Sequence, residues 1–262
     1  MNVSKEQQKY LKKLRINSAI VNASRIGILV LFLVLWEVLV SSGAVDGFLF
    51  SSPSRIVKTT IELYTAGDLF LHIGTTLLET LLGFLIASVL GVLIAVVLWW
   101  SETLRRIFEP YIVVLNSLPK IALGPLIIIW FGAGMKSIVF MAVIITIIVT
   151  IINMLAGFTE TDKNKLLLLR SLGATKPQIF FHLVMPSSLP TLVSTLKINV
   201  GMSWIGSIMG EYLVSKRGIG YLIVYGGQVF KLDLVMTSTV ILCVLAALMY
   251  LGVALLEKAI ER

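Results

Sequence analysis

The sequence predicts an all-α integral membrane protein with about six transmembrane helices in one domain. Of its 262 residues, 57% are hydrophobic and only 14% are charged, whereas soluble domains carry about 25% charged residues. The mean hydropathy is +0.96. Several apolar runs also exceed the roughly 18 residues at which a bilayer-spanning helix is expected. One bundle of such helices accounts for nearly the whole chain, so we expect a single domain.

The apolar runs define the spans and the organisation of the chain. They lie at 26–42, 72–100, 108–131, 137–157, 189–209 and 234–256. We therefore divide the chain into a basic N-terminal segment, 1–25, and a transmembrane domain, 26–262, that contains a long polar loop at 158–188. The first run follows a long basic segment and lacks a clean small-residue cleavage site. We expect it to be an uncleaved span, with a signal peptide as the alternative.

The Lys and Arg residues between the spans predict the orientation. With the N-terminus in the cytoplasm, 14 of them lie in cytoplasmic segments and 6 in external ones, in agreement with the positive-inside rule. The sequence thus predicts a multi-pass protein of the cell (plasma or inner) membrane, with both termini and loop 158–188 in the cytoplasm. This distribution explains the net charge of +8 without a nucleic-acid partner.

Two external connections are expected to contain helices of their own. Segment 53–71 carries apolar residues at i, i+4 spacing behind Pro53, which is typical of an amphipathic helix at the membrane surface. Segment 210–233 contains Gly218 and Gly220 between apolar residues, which favours short helical pieces interrupted by glycine.

Four spans carry small or polar side chains about every four residues, which places them on one helix face. In chain order these faces are Thr75, Glu79, Gly83, Ala87, Gly91 and Ala95; Asn116, Lys120 and Gly124; Thr146, Thr150, Asn153 and Gly157; and Thr195, Asn199, Ser203, Gly206, Ser207 and Gly210. Such faces allow helices to pack closely, or they surround a polar pathway, and both alternatives stay open. The first and sixth spans lack such a face, so we expect them at the periphery. The candidate pathway residues are Asn116, Lys120, Asn153, Asn199 and Ser203.

Ionisable side chains within the spans are a separate signal, because a charge in hydrocarbon is costly. Glu79, Lys120 and Lys197 are expected to act in function, to pair inside the protein or, for the lysines, to extend toward the membrane surface. Lys120 follows Pro119, where a helix loses a backbone donor and can kink.

The sequence offers no candidate catalytic or metal-binding group. Cys243 is the only cysteine, which excludes a disulfide framework. His72 and His182 are far apart in sequence, and Glu79 is the one carboxylate well inside the predicted spans. The chain has no GxxxxGK[ST] phosphate loop for ATP. We therefore expect no catalytic residue, metal or cofactor, which disfavours a membrane enzyme. A stand-alone secondary transporter stays open, although we find no inverted repeat that would favour it.

Loop 158–188 carries the most specific pattern. A short apolar helix, 165–172, ends at Gly173, which suits the left-handed residue after a helix C-terminus. A second helix, 177–184, begins with a proline in its first turn, where the missing N–H costs nothing. The leucines of the first helix occupy consecutive positions, so some of them are expected to face water and to dock onto another protein.

This loop resembles the EAA loop of binding-protein-dependent ABC importer permeases. That pattern is EAA, three residues, Gly, nine residues, an aliphatic residue, one residue and Leu-Pro. Gly173, Leu183, Met185 and Pro186 stand at those spacings, whereas Leu167, Leu168 and Leu169 replace the EAA triplet. The replacement removes the carboxylate through which the family's glutamate could make a salt bridge. Stretches 115–134, 152–158 and 201–223 resemble the nitrate/sulfonate/taurine branch of that superfamily.

The resemblance implies a type I ABC importer permease bundle and a non-catalytic transport role. It implies two copies of a cytoplasmic ABC ATPase, a second permease subunit forming a homodimer, and an external solute-binding protein, all around a chain set in the lipid bilayer. The substrate would be a small organic or inorganic anion such as a sulfonate or nitrate, with an uncharged vitamin precursor as the alternative. The residues expected to couple to the ATPase are Leu166, Leu167, Leu168, Leu169, Gly173, Ala174 and Pro186.

Overall fold

The computed structural model describes residues 5–260, which fold mainly into helices. The ends of the two termini, residues 1–4 and 261–262, lie outside the described residues. Within the described part of the chain, four helical stretches are long and apolar enough to cross a membrane: Ala19–Ser41, Leu69–Trp100, Met135–Thr159 and Leu232–Lys258. Two bent helix pairs bring the count to as many as six spans, in agreement with the predicted number.

Thirteen α-helices make up the described chain, with one 3₁₀ turn and one π turn. They are α1 (Lys5–Ser41), α2 (Gly47–Phe50), α3 (Pro53–Thr65), α4 (Leu69–Trp100), α5 (Glu102–Ser117), α6 (Gly124–Phe131), α7 (Met135–Thr159), α8 (Lys163–Ser171), α9 (Lys176–Ile179), α10 (Met185–Ser187), α11 (Leu189–Val214), α12 (Ile219–Gln228) and α13 (Leu232–Ile260). The 3₁₀ turn is Lys120–Leu123, and the π turn is Phe180–Val184. Helix α3 confirms the amphipathic helix predicted in segment 53–71, and α12 is a helical piece of the kind predicted in segment 210–233.

Helices α4, α7 and α11 form the centre of the bundle through their small-residue faces. A methyl group added at Gly210 of α11 would lie 2.9 Å from Cα of Ile138 in α7. One added at Gly91 of α4 would lie 2.6 Å from Cβ of Thr150 in α7. Because distances below about 3 Å leave no room for a side chain, glycine is what lets these backbones approach. The striped faces of these three spans therefore serve helix packing within one chain.

The third predicted span, 108–131, is wrong as a continuous helix. Helix α5 ends at Ser117, and the chain then turns so that the pair Glu102–Ser117 and Lys120–Phe131 is bent by 87°. Leu118 is extended, with ψ of 138°, because the ring of Pro119 disfavours the helical conformation in the residue before it. Hydropathy alone could not detect this bend, since the residues on both sides are apolar.

Helices α1 and α13 lie at the periphery, as their lack of a small-residue face predicted. No described side chain in the spanning part of α1 is fully buried, and α13 buries only Leu234, Thr237, Ser238 and Val253. Ser54, at the start of α3, donates to the carboxylate of Glu37 in α1 through its backbone N–H (2.9 Å) and its hydroxyl (2.7 Å). Lys197 of α11 forms an ion pair of 2.6 Å with Glu257 of α13, which is internal pairing rather than extension to the surface.

Candidate docking and translocation sites

The C-terminus of α8 is followed by a residue in the left-handed backbone conformation. Gly173 has φ of +81°. Its N–H donates to the carbonyl of Arg170, and the N–H of Ala174 donates to the carbonyl of Leu169, both at 3.0 Å. These two bonds form a Schellman motif, which satisfies carbonyls at the helix end. The predicted helix and its glycine terminus are both present, with the helix starting two residues earlier, at Lys163.

The leucines of α8 divide between two faces. Leu166 and Leu169, together with Ala174, pack against a buried apolar cluster. We call it the elbow cluster; its members are Ala95, Met154, Phe158, Ile179, Phe180 and Val184. Leu167, Leu168 and Leu172 point away from it and are 65%, 60% and 74% exposed. Helix α8 is thus fixed to the bundle on one side, whereas Leu167 and Leu168 on its other side and Leu172 at its C-cap are unburied.

The segment after α8 connects this element to the end of α4. Thr175 and Gln178 form a capping box at the start of α9. The ammonium of Lys176 donates to the carbonyl of Trp100 at 2.5 Å and lies 5.6 Å from the ring centre of Trp99. The predicted second helix is irregular, because a π turn separates α9 from α10. Pro186, in α10, is exposed.

Two predicted pathway residues lie inside the bundle. The amide nitrogen of Asn199 donates to Oγ of Ser88 and to Oγ1 of Thr150, at 2.9 Å each, so it joins α11 to α4 and α7. The hydroxyl of Ser203 donates to the carbonyl of Asn199 at 2.8 Å. Both residues are completely buried. In this conformation their polar groups serve contacts within one protomer.

The other predicted pathway residues lie nearer the surface of the chain. Asn116 is exposed near the end of α5, and Lys120 is half-buried just past the break at Pro119. The ammonium of Lys120 donates to the carbonyl of Asn116 at 3.0 Å. Asn153 is half-buried on α7. The five predicted residues therefore do not share one surface of the protomer.

A polar site at the other end of α4 was missed by the sequence-based prediction. Glu211 and Thr76 accept hydrogen bonds from backbone amides at the start of α12, and His72 accepts one from Gly218, at 2.9 Å. Glu211 is a second buried carboxylate in a spanning helix, and it lies outside the predicted span because α11 runs to Val214 rather than to residue 209. It stands four residues after Ser207 on the same helix face, so continuing that face by one step would have found it.

A cavity of about 630 Å³ opens beside this polar site. One wall is aromatic: the rings of His72 and Tyr221 are stacked at 6.1 Å, and those of Tyr221 and Tyr225 at 5.9 Å. The charged side chains that line the cavity are Glu62, Asp68, Lys216, Arg217 and Lys231. It lies at the opposite end of α4 from α8.

Solved structures and curated proteins resemble this chain. A chain of the MetNI methionine ABC transporter, in an inward-facing form, matches 76% of it with a TM-score of 0.66 and 20% identity, over 98% of that chain. A bacterial ABC transporter involved in the import of the acidic polysaccharide alginate matches 95% of it, over all of that chain, with a TM-score of 0.65 and 14% identity. At these identities the likeness shows a shared fold.

Curated proteins also resemble this chain in sequence. The formylaminopyrimidine transport permease protein ThiX of Halalkalibacterium halodurans is 34% identical over 73% of this chain and 76% of its own length. The taurine transport system permease protein TauC of Escherichia coli is 23% identical over 89% of this chain and 86% of its own length. The latter likeness agrees with the predicted nitrate/sulfonate/taurine branch.

The model of one family matches residues 87–262, which is more than half of the chain. That family is described as the binding-protein-dependent transport system inner membrane component. Its members are the membrane subunits of ABC importers; they catalyse no reaction themselves and work with an ATPase and a solute-binding protein. The chain belongs to this family, as a non-catalytic, multi-pass inner-membrane permease subunit of a binding-protein-dependent ABC importer.

Proposed function

We propose that two copies of this chain form the pathway of an importer for a small anion, driven by two ATPase subunits that dock on α8. The observation that carries this proposal is the division of the α8 leucines between the elbow cluster and open space. Leaving a leucine side chain in water forgoes about 1.5–3 kcal/mol of burial. A partner surface that covers Leu167, Leu168 and Leu172 would recover that free energy.

Docking on α8 would transmit force directly into the spans. The elbow cluster contains Ala95 from the end of α4, and Met154 and Phe158 from α7. Because α8 packs on these residues through Leu166 and Leu169, its displacement would tilt both helices. Pro186 and α10 continue the same segment into α11. ATP-dependent closure of the ATPase pair would in this way rock the bundle between two openings.

The break in the third span supports a pathway at the interface between two protomers. Irregular backbone at membrane depth is tolerated where it is covered by protein or lines a water-filled cavity. In the single chain, Asn116 is exposed and Lys120 is half-buried at this break. We propose that these two residues, with Asn153, line the pathway, and that Asn199 and Ser203 join it only in another conformation.

Cross-linking tests the homodimer. A single cysteine at Asn116, in a Cys243→Ser background, should form a cross-link between two permease copies in membranes. A cysteine at Leu31, an exposed residue of α1, serves as the matched control. The permease that carries it should form no cross-link. A cross-link at Leu31 with none at Asn116 would contradict the proposed interface.

Lys120 is the feature that favours an anionic substrate, because it would offer a cation beside the pathway. Lys120→Gln should then reduce uptake of taurine or nitrate more than it reduces ATP hydrolysis. The second candidate is an uncharged vitamin precursor, favoured by the 34% identity to a formylaminopyrimidine permease. Uptake of formylaminopyrimidine, with no taurine or nitrate uptake and no effect of Lys120→Gln, would select that candidate.

We also propose that both termini, segment 1–25 and loop 158–188 face the cytoplasm. Single cysteines at Asn164 of α8 and at Lys216 lie at exposed positions. In a Cys243→Ser background they should react with an impermeant thiol reagent from opposite sides of the membrane. Labelling of both from one side would contradict this topology.

A further inference from the structure

Two buried carboxyl groups meet where α4 packs against α11. Glu79 is 2% exposed and Glu211 is 1% exposed, and their carboxyl groups lie close enough to interact directly. One oxygen of each, Oε2 of Glu79 and Oε1 of Glu211, is buried and has no hydrogen-bond partner. Because both oxygens are inaccessible to solvent, neither is hydrated from bulk water.

The second oxygen of Glu211 is fully occupied. Oε2 accepts from the backbone amide of Gly220 at 2.6 Å and from that of Tyr221 at 3.2 Å. The two preceding amides, of Gly218 and Ile219, donate to Nδ1 of His72 and Oγ1 of Thr76. All four amides at the start of α12 are therefore held by side chains of α4 and α11, which satisfies the donors that a helix start leaves open.

No cation balances the pair within the described part of the chain. Neither carboxyl group forms an ion pair with a Lys or Arg residue there. The titratable neighbours of the pair are Tyr212 on α11, Tyr221 on α12 and His72 on α4. Two ionised carboxylates in contact, buried and without a counter-charge, would repel each other at a large cost in free energy. One carboxylate and one carboxylic acid would instead form a charge-assisted hydrogen bond.

We propose that Glu79 and Glu211 form a proton-binding site that holds one proton between them at neutral pH. The proton turns one of the two unpartnered oxygens into a hydroxyl group that donates a hydrogen bond to the other, so both oxygens gain a partner. It also fixes the carboxyl group of Glu211 in the orientation that receives the amides of α12. The site thus fastens α12 to α4 and α11, independently of which solute is transported.

Close packing around Glu211 favours a proton over a metal cation. A methyl group added at Gly220 would lie 2.9 Å from Oε2 and 3.0 Å from Cβ of Glu211. Cations such as Ca²⁺ require six to eight oxygen ligands around them, and the amides of α12 already take up the oxygen on that side. A proton needs no such shell.

Infrared spectroscopy of the purified permease tests the site directly. At neutral pH the wild-type spectrum should contain the carbonyl stretch of one buried protonated carboxyl group, which shifts in D₂O and on incorporation of ¹³C-labelled glutamate. Glu79→Gln should abolish that band, since its amide can donate to Glu211 in place of the proton. Glu257→Gln, a substitution in the ion pair with Lys197, should leave the band in place.

The isotope measurement needs no variant, so the proposal can fail even if Glu79→Gln does not fold. A wild-type spectrum without a glutamate-sensitive protonated carboxyl band would overturn it. A thermal midpoint that rises with NaCl but not with N-methylglucamine chloride, in wild type and not in Glu79→Gln, would also overturn it, because the ligand would then be Na⁺. Glu79→Gln should keep the wild-type midpoint, whereas Glu79→Ala should lower it.

Discussion

The side-chain amide of Asn199 in α11 lies 2.9 Å from the hydroxyl of Ser88 in α4, although the two residues are 111 positions apart in sequence. The same amide reaches Thr150 of α7, so one residue joins the three central helices. Asn199→Ala should therefore destabilise the permease, because each interhelical hydrogen bond in a membrane is worth about 0.6–1.7 kcal/mol. Thermal unfolding in detergent measures the change as a lower midpoint.

The same variant distinguishes packing from a role in the pathway. If Asn199 contacts substrate in another conformation, Asn199→Ala should also raise the KM for uptake. A raised KM with an unchanged thermal midpoint would contradict the packing role that the hydrogen bonds indicate.

A second prediction concerns the glycines of α11. Gly210→Leu should prevent stable folding, since its side chain would meet the backbone of Ile138 in α7 at 2.9 Å or less. The control is Gly201→Ala on the same helix, because nothing lies within 4 Å of the added methyl group. That control should be neutral or slightly stabilising, as alanine favours a helix over glycine by about 1 kcal/mol. The yield of folded, monodisperse protein after membrane extraction compares the two.

Much of this architecture follows from local sequence. Apolar runs located the spans, small-residue spacing identified the faces of α4, α7 and α11 that pack together, and Gly173 marked the end of α8. Each of these signals lies within one element, where spacing alone decides which side chains share a face.

The remaining features depend on contacts between distant segments. His72 meets Gly218 across 146 positions, and no local pattern connects them. Glu211 escaped prediction because the apolar run was ended before it, although it continues the polar face of α11. The bend at Pro119 interrupts a run whose hydropathy is uniform, so only the backbone restriction imposed by proline indicated it.

A third prediction concerns the turn after α8. Gly173→Val should weaken retention of the ATPase, because a β-branched residue is strained at φ of +81°. Gly173→Asn is the matched control, since asparagine tolerates the left-handed region far better. We expect both variants to reach the membrane and only the valine variant to lose ATPase-coupled uptake. Equal uptake by the two variants would argue against a role for this turn in coupling.

A fourth prediction follows from the leucine triplet at the position of the EAA motif. With Leu167 in place of a glutamate, the interface with the ATPase should be apolar, so its assembly should vary little between low and high NaCl. Leu167→Glu restores a carboxylate and should make assembly more sensitive to salt. Pull-down of the ATPase across a NaCl series measures the salt dependence of assembly for the wild type and for Leu167→Glu. A strong salt dependence of the wild-type complex would contradict an apolar interface.

The central claim is that the exposed leucines of α8 form the docking surface for the ATPase, and Leu168→Asp tests it most directly. The aspartate would place an unpaired carboxylate in an apolar interface, which should weaken the complex about tenfold or more. Asn164→Asp introduces a carboxylate at the start of the same helix, where negative charge is favourable, and serves as control. The decisive measurement is the amount of ATPase that copurifies with each permease variant at equal membrane expression. Our account predicts loss of the ATPase from Leu168→Asp and its retention by Asn164→Asp, whereas full retention by Leu168→Asp would contradict it.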